Sequence, residues 1–244
     1  MKAAPEAQRR LLDLQAVDTT LAQLAHRRKS LPELAEIDAV AREISALEDE
    51  RVRAQVAVDD LDRDIARLEK DIDQVRQRKD KDQKRLDAGG SLREVEGLQH
   101  ELATLNRRQS ELEDAELELM ERRETAAAAL DEVQGRLTAA VGKRTDAERR
   151  RDESLAELTK EHEFKTAARV PLAADLPADL VTLYDKIRTE TGMGAALVHA
   201  GRCGACRIEL YGADLARVKA APADEVVRCE ECRRIMVRTA ESGL

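Results

Sequence analysis

The sequence predicts a mainly α protein: a long antiparallel helical hairpin, read as a coiled coil, followed by a small C-terminal β ribbon. Three observations carry this. Phe164, Tyr184 and Tyr211 are the only aromatics among 244 residues, so residues 1–163 contain none. A globular core of that size normally relies on large aromatic side chains. Aliphatic residues nevertheless recur in register along that stretch, which separates it from a disordered chain of similar charge. All four cysteines fall between residues 203 and 232, in two Cys-x-x-Cys pairs.

The register is a heptad stripe. Stepping three and four residues in turn from Ile44 to Leu86 meets an apolar side chain at ten of thirteen positions. The same walk from Val95 to Ala147 is apolar at twelve of sixteen. Such a narrow stripe buries one thin face and needs one partner helix. Arg51, Gln109, Glu116 and Arg123 interrupt the stripe and leave the seam loosely sealed.

Gly89-Gly90 separates the two series and gives the chain left-handed freedom, so the reversal is placed at residues 88–91. Ser91-Leu92-Arg93-Glu94 reads as a capping box that starts the second helix. Nearer the N-terminus the stripe slips phase at Ser30-Leu31-Pro32-Glu33. Proline belongs in a first helical turn, and Ser-x-x-Glu is again a capping box. A kink is therefore expected near 29–32, and the hairpin spans 1–168. Pro171 and Pro177 mark 169–192 as a linker followed by a short helix with Leu180, Leu183, Tyr184 and Ile187 on one face. Residues 193–244 hold short β-like runs at 195–199, 207–211, 225–228 and 234–238, with a helical turn at 214–219.

Cys203-x-x-Cys206 and Cys229-x-x-Cys232 have the spacing of two zinc knuckles. Four thiolates satisfy one Zn²⁺ tetrahedrally and leave no open position, so one structural ion per chain is expected. The competing reading, redox dithiols, lacks its βαβ setting. His199 precedes the first knuckle, but four cysteines already suffice. No phosphate loop or nucleophile motif is present, and His26, His100 and His162 fall on the helical arms as surface residues. The sequence therefore predicts no enzyme, no catalytic residue and no small-molecule substrate. No apolar run reaches the ~18 residues of a membrane span, and the N-terminus does not read as a signal peptide. Clustered thiols without a secretory signal suggest a cytoplasmic protein.

The net charge of −8 gives no general affinity for nucleic acid or an anionic membrane. Residues 202–238 hold eight Lys/Arg against six Asp/Glu, and a tetrathiolate zinc site cancels that excess. Candidate contacts to a partner or to nucleic acid remain at Arg207, Arg228, Arg233, Arg234 and Arg238 in the ribbon. A second group, Arg76, Arg78, Lys79, Lys81, Lys84 and Arg85, makes a basic shoulder beside the hairpin tip.

Taken together, these features resemble the bacterial C4-type zinc-ribbon proteins with an N-terminal coiled-coil hairpin, a family described as nucleic-acid-binding. The resemblance rests on Leu12-Asp13-Leu14-Gln15-Ala16-Val17-Asp18, the Leu31-Pro32 break, the glycine reversal, Leu112-Glu113-Asp114 and Glu118-Leu119-Met120. It also rests on Tyr184-Asp185-Lys186-Ile187-Arg188 and the two knuckles, above all Cys229-x-x-Cys232-Arg233-Arg234-Ile235-Met236-Val237. Arg233 stands where such proteins usually carry glycine. The resemblance implies non-enzymatic adaptors, with relatives linked to alternative sigma factors, flagellar or secretion machinery, and RNA. The expected function is a zinc-binding adaptor or scaffold that docks protein partners, in transcription or its regulation. The alternative is an RNA- or DNA-binding regulator.

Overall fold

The computed structural model describes residues 1–244. Its helices are α1 (Pro5–Lys29), α2 (Pro32–Asp87), α3 (Leu92–Ala174), α4 (Ala178–Thr191) and α5 (Gly212–Ala220). Its strands are β1 (Ala195–His199), β2 (Arg202–Cys203), β3 (Val227–Arg228) and β4 (Ile235–Val237). The chain forms two units, one made of 35–148 and the other of 1–34 with 149–244.

The first unit is the helical hairpin. Its buried side chains come from the heptad stripe: Val58 and Ile72 on α2, Leu112, Leu130 and Ala147 on α3. Val40, Ile44 and Leu47 pack with Val133, Leu137 and Ala140 as one cluster. Glu50 pairs with Arg136 at 3.2 Å, Asp62 with Arg123 at 3.0 Å and Arg76 with Glu113 at 2.9 Å. Residue numbers rise on α2 as they fall on α3, so the helices are antiparallel. Exposed pairs of this kind contribute ~0–1 kcal/mol each, so they set register more than stability.

The reversal uses Gly89 at φ 78°. Glu94 accepts the Ser91 amide at 2.9 Å, as a capping box requires. The Ser91 hydroxyl, however, donates to Glu94 at 2.7 Å instead of accepting the Glu94 amide, which bonds the Ser91 carbonyl. These bonds hold the Glu94 carboxyl below its ordinary value. At the earlier break the expected capping box is absent. The Ser30 hydroxyl donates back to the His26 carbonyl at 3.0 Å and closes α1, while Glu33 accepts from Ser154 at 3.4 Å.

Two further expectations are corrected. The linker does not begin at 169, because α3 runs to Ala174 with Pro171 inside it. Pro171 loses one amide bond, but its carbonyl still accepts from Asp175 at 3.0 Å. Arg169 is anchored to Asp18, and Leu172 and Ala173 pack on the core, so tertiary contacts outweigh the missing bond. Residues 1–34 do not fold as part of the arm alone. Leu11 and Leu14 of α1 share a core with Leu176, with Leu180, Tyr184 and Ile187 of α4, and with Ala195, Ile235 and Val237 of the sheet.

The sheet order is β2-β1-β4-β3. β1 and β4 are parallel, with Ala195 beside Ile235 and Leu197 beside Val237, and the outer strands pair antiparallel. The period-2 alternation gives the sheet two working faces. Ala195, Ile235 and Val237 meet the helices, while Val198 and Met236 join Cys203, Val218, Val227 and Cys229 on the other side. The strand expected at 207–211 is reduced to a single bridge between Arg202 and Glu209. The N-terminus lengthens the sheet: Ala3 donates to Asp224 at 2.7 Å and Val226 to Met1 at 3.0 Å.

One buried carboxylate ties the helices together. Asp18 is 3% exposed. It takes a two-pronged bond from Arg169 at 2.7 and 3.2 Å and a bond from the Tyr184 hydroxyl at 2.8 Å. Arg188 lies 3.4 Å away. Burial and the Asp18 bond push the Tyr184 hydroxyl well above its ordinary range. Gln15 accepts the Gly194 amide at 2.7 Å and so fixes the start of β1. Removing one partner of a buried ion pair costs about 3–5 kcal/mol. Asp18→Ala should lower the unfolding free energy by that amount in urea titration, whereas Asp64→Ala on the exposed arm should change it by less than ~1 kcal/mol.

Candidate metal centre

The two knuckles are built alike. In the first, the Cys203 amide donates to the Ile208 carbonyl at 3.0 Å, and the Arg207 amide returns to the Cys203 carbonyl at 2.8 Å. In the second, Cys229 donates to Arg234 at 3.0 Å and Arg233 to Cys229 at 2.9 Å. Arg207 and Arg233 both adopt the left-handed region, at φ 63° and 61°. The second knuckle therefore makes the same turn as the first without glycine, at a cost of about 1–3 kcal/mol per strained residue. Gly204 is required for another reason. A Cβ there would lie 2.4 Å from the Leu197 carbonyl oxygen, which the Gly204 amide itself bonds at 2.9 Å.

These turns bring the four sulfurs together, all within 4.8 Å of one another. The Cys203–Cys232 Sγ distance is 3.8 Å and the Cys206–Cys229 distance is 3.9 Å. A tetrahedral zinc with Zn–S bonds of about 2.3 Å needs sulfurs about 3.8 Å apart, so the donor set fits. Both short approaches run between knuckles. One four-sulfur group results rather than two separate dithiols, and His199 stands outside it. Cys203 and Cys229 are buried at 1% and 3% exposure, and α5 covers their side of the sheet through Val218. Burial raises the Cys203 thiol and pushes the Cys229 thiol up to about 12. At Cys232 desolvation is outweighed by the Arg234 amide and by the neighbouring sulfurs, so its thiol is lowered. Cys203, Cys206, Cys229 and Cys232 would hold the ion, which supplies cross-linking and charge neutralisation; four protein ligands leave no coordination position for a substrate.

The arginines singled out from sequence divide into two groups. Arg238 donates to four backbone carbonyls, those of Val218, Ala221, Pro222 and Glu225, at 2.6–3.1 Å. Arg234 bonds the hydroxyl and carbonyl of Thr191, and Arg228 Nε bonds the Arg233 carbonyl. These three serve the fold. Arg207 and Arg233 are exposed at the knuckle tips, and their guanidinium groups make no bond. Half of the basic shoulder, its three arginines, is neutralised within the hairpin. Arg76 pairs with Glu113, Arg78 with Glu101, and Lys79 donates to Gln109 at 2.7 Å. Arg78 and Arg85 flank the buried Asp82 at 3.8 and 3.7 Å. Lys81 and Lys84 remain unengaged on the surface, lining a shallow depression with Gln77 and Asp80.

Fold and site together define a coiled-coil hairpin protein with a C4 zinc ribbon. Residues 14–192 match the CT398-like coiled coil hairpin domain, and residues 202–236 match the C4-type zinc ribbon domain. The chain belongs to the CT398-like coiled-coil hairpin family. It is 40% identical over 239 residues to the uncharacterized protein Rv2229c of Mycobacterium tuberculosis, covering 98% of each chain. A Mycobacterium smegmatis structure superposes with a TM-score of 0.88 at 40% identity, covering 98% of this chain and 100% of that one. CT398 from Chlamydia trachomatis superposes at 0.69 with 18% identity, over 96% and 98% of the two chains, which shows a shared fold. No helix is long and apolar enough to cross a membrane.

Three outcomes test the centre. Cys203→Ser should lower zinc content well below one per chain, and Gly204→Ala should weaken zinc binding with all four ligands intact. Zinc binds the deprotonated sulfurs, so raised thiols must lose protons on loading. Apparent zinc affinity should therefore climb steeply from about pH 6 to about pH 8 in chelator competition.

Proposed function

We propose that this protein is a non-enzymatic, zinc-stapled adaptor that docks protein partners in the cytoplasm, in transcription or its regulation. The observation that carries the reading is the employment of its arginines. Arg234 and Arg238 are committed to backbone carbonyls, and Arg76, Arg78 and Arg85 to carboxylates of the hairpin. Phosphate binding needs a continuous basic surface, and these pairings leave little of one. The long helices instead offer extended surface with mixed charge. Val52, Val56, Leu117 and Met120 are exposed on it, of the kind a partner helix can cover.

One observation favours a second reading, an RNA- or DNA-binding regulator. Arg207 and Arg233 occupy equivalent, strained positions at the two knuckle tips and carry no intramolecular partner. Affinity capture from native cytoplasm, with and without nuclease, separates the two. The adaptor reading expects co-purifying protein that survives nuclease and moderate salt and is lost on deleting the arm. Capture that disappears with nuclease, together with an affinity that falls steeply with salt and on Arg207→Ala/Arg233→Ala, would instead establish the nucleic-acid reading.

A further inference from the structure

The outer face of α3 near its C-terminus carries an apolar stripe that no other element covers; only the ammonium of Lys165, on the same helix, reaches over the Phe164 ring, 5.9 Å from its centroid. Phe164 is 70% exposed and Val170 65% exposed. Ala167, Pro171 and Ala174 are exposed beside them. Lys160, Phe164, Ala167, Pro171 and Ala174 follow one another at spacings of four, three, four and three residues. That is the spacing of a coiled-coil seam. The inner face of the same helix is occupied: Arg169 holds Asp18, and Leu172 and Ala173 pack on the core. The segment thus has two seams and a partner for only one.

We infer that the outer stripe is a homodimer seam, docking antiparallel on the same stripe of a second copy. The charges at its ends point to that occupant. The stripe begins at Lys160 and finishes beside Asp175, and both side chains are exposed. A two-fold axis through Ala167 and Ala168 sets Lys160 of each copy against Asp175 of the other, and Phe164 against Pro171. The interface is then isologous, as closed dimers require. Alanine at the axis lets the helices approach, and the ring of Phe164 gains an apolar cover. Asp175 already meets Arg10 at 3.4 Å, through Oδ2 alone and in solvent, which leaves its side chain able to take a second cation.

Sedimentation equilibrium and native mass spectrometry of the full zinc-loaded chain test this. The wild type should give a dimer. Phe164→Asp should raise the dissociation constant at least about thirtyfold, as loss of an interface anchor does, with helical content and zinc unchanged. Lys160→Asp and Asp175→Lys should each weaken the dimer alone. Mixed in equal amounts, the two variants should associate again, because every cross-pair then has opposite charges. A wild type that stays monomeric overturns the proposal. So does a dimer indifferent to Phe164→Asp, or a pair of charge variants that do not recover on mixing.

Discussion

The convergence of four sulfurs governs everything on one side of the sheet. β2 has two residues, β3 has two and β4 has three, too few for strand pairing alone to hold them. What aligns them is that Cys203 and Cys206 must reach Cys229 and Cys232 across the intervening chain. The twin turns of Arg207 and Arg233 and the tight approach of Gly204 to Leu197 all follow from that requirement. With Cys203 and Cys229 buried and their thiols raised, the metal-free group favours protons over four negative charges. An ion is the natural way to neutralise it.

The opposite face of the sheet is held by different physics. Leu11 and Leu14 arrive from α1, Leu180, Tyr184 and Ile187 from α4, and Asp18 links Arg169 of α3 to Tyr184 of α4. Because both faces of one thin sheet are used, the ribbon is not an independent module attached to a rod. It is the shared floor of a unit to which both ends of the chain contribute.

That arrangement explains which parts were legible. A seam announces itself by period, so the stripe positions that are buried, such as Leu47, Ile72, Val133 and Ala140, could be named from sequence. Cysteine spacing identified the sulfur group because tetrahedral coordination restricts ligand spacing severely. Leu11 and Leu14 were not legible as ribbon-covering residues, since a seam leucine and a sheet-covering leucine have the same local pattern. Nothing in the local pattern around Asp18 separates it from a surface carboxylate. The signal that could have found it was the pair of segments carrying the family resemblance, around Gln15-Ala16-Val17-Asp18 and Tyr184-Asp185, which meet in this structure. Pro171 misplaced the end of α3 because a local rule took no account of packing by its neighbours. The arginines could not be sorted by sequence either. Only the fold shows that Arg238 spends its donors on carbonyls while Arg207 faces water.

The metal secures only the cysteine face of the sheet, and the helices with Asp18 secure the other. Hydrogen exchange on the full chain, before and after zinc removal by a chelator, addresses it directly. Protection should collapse at the knuckle amides of Cys203, Arg207, Cys229 and Arg233 and in β2 and β3, while α1, α4 and the Gly194 amide held by Gln15 keep theirs. Loss of protection in α1 and α4 together with the knuckles, or knuckles that stay protected without metal, would contradict it.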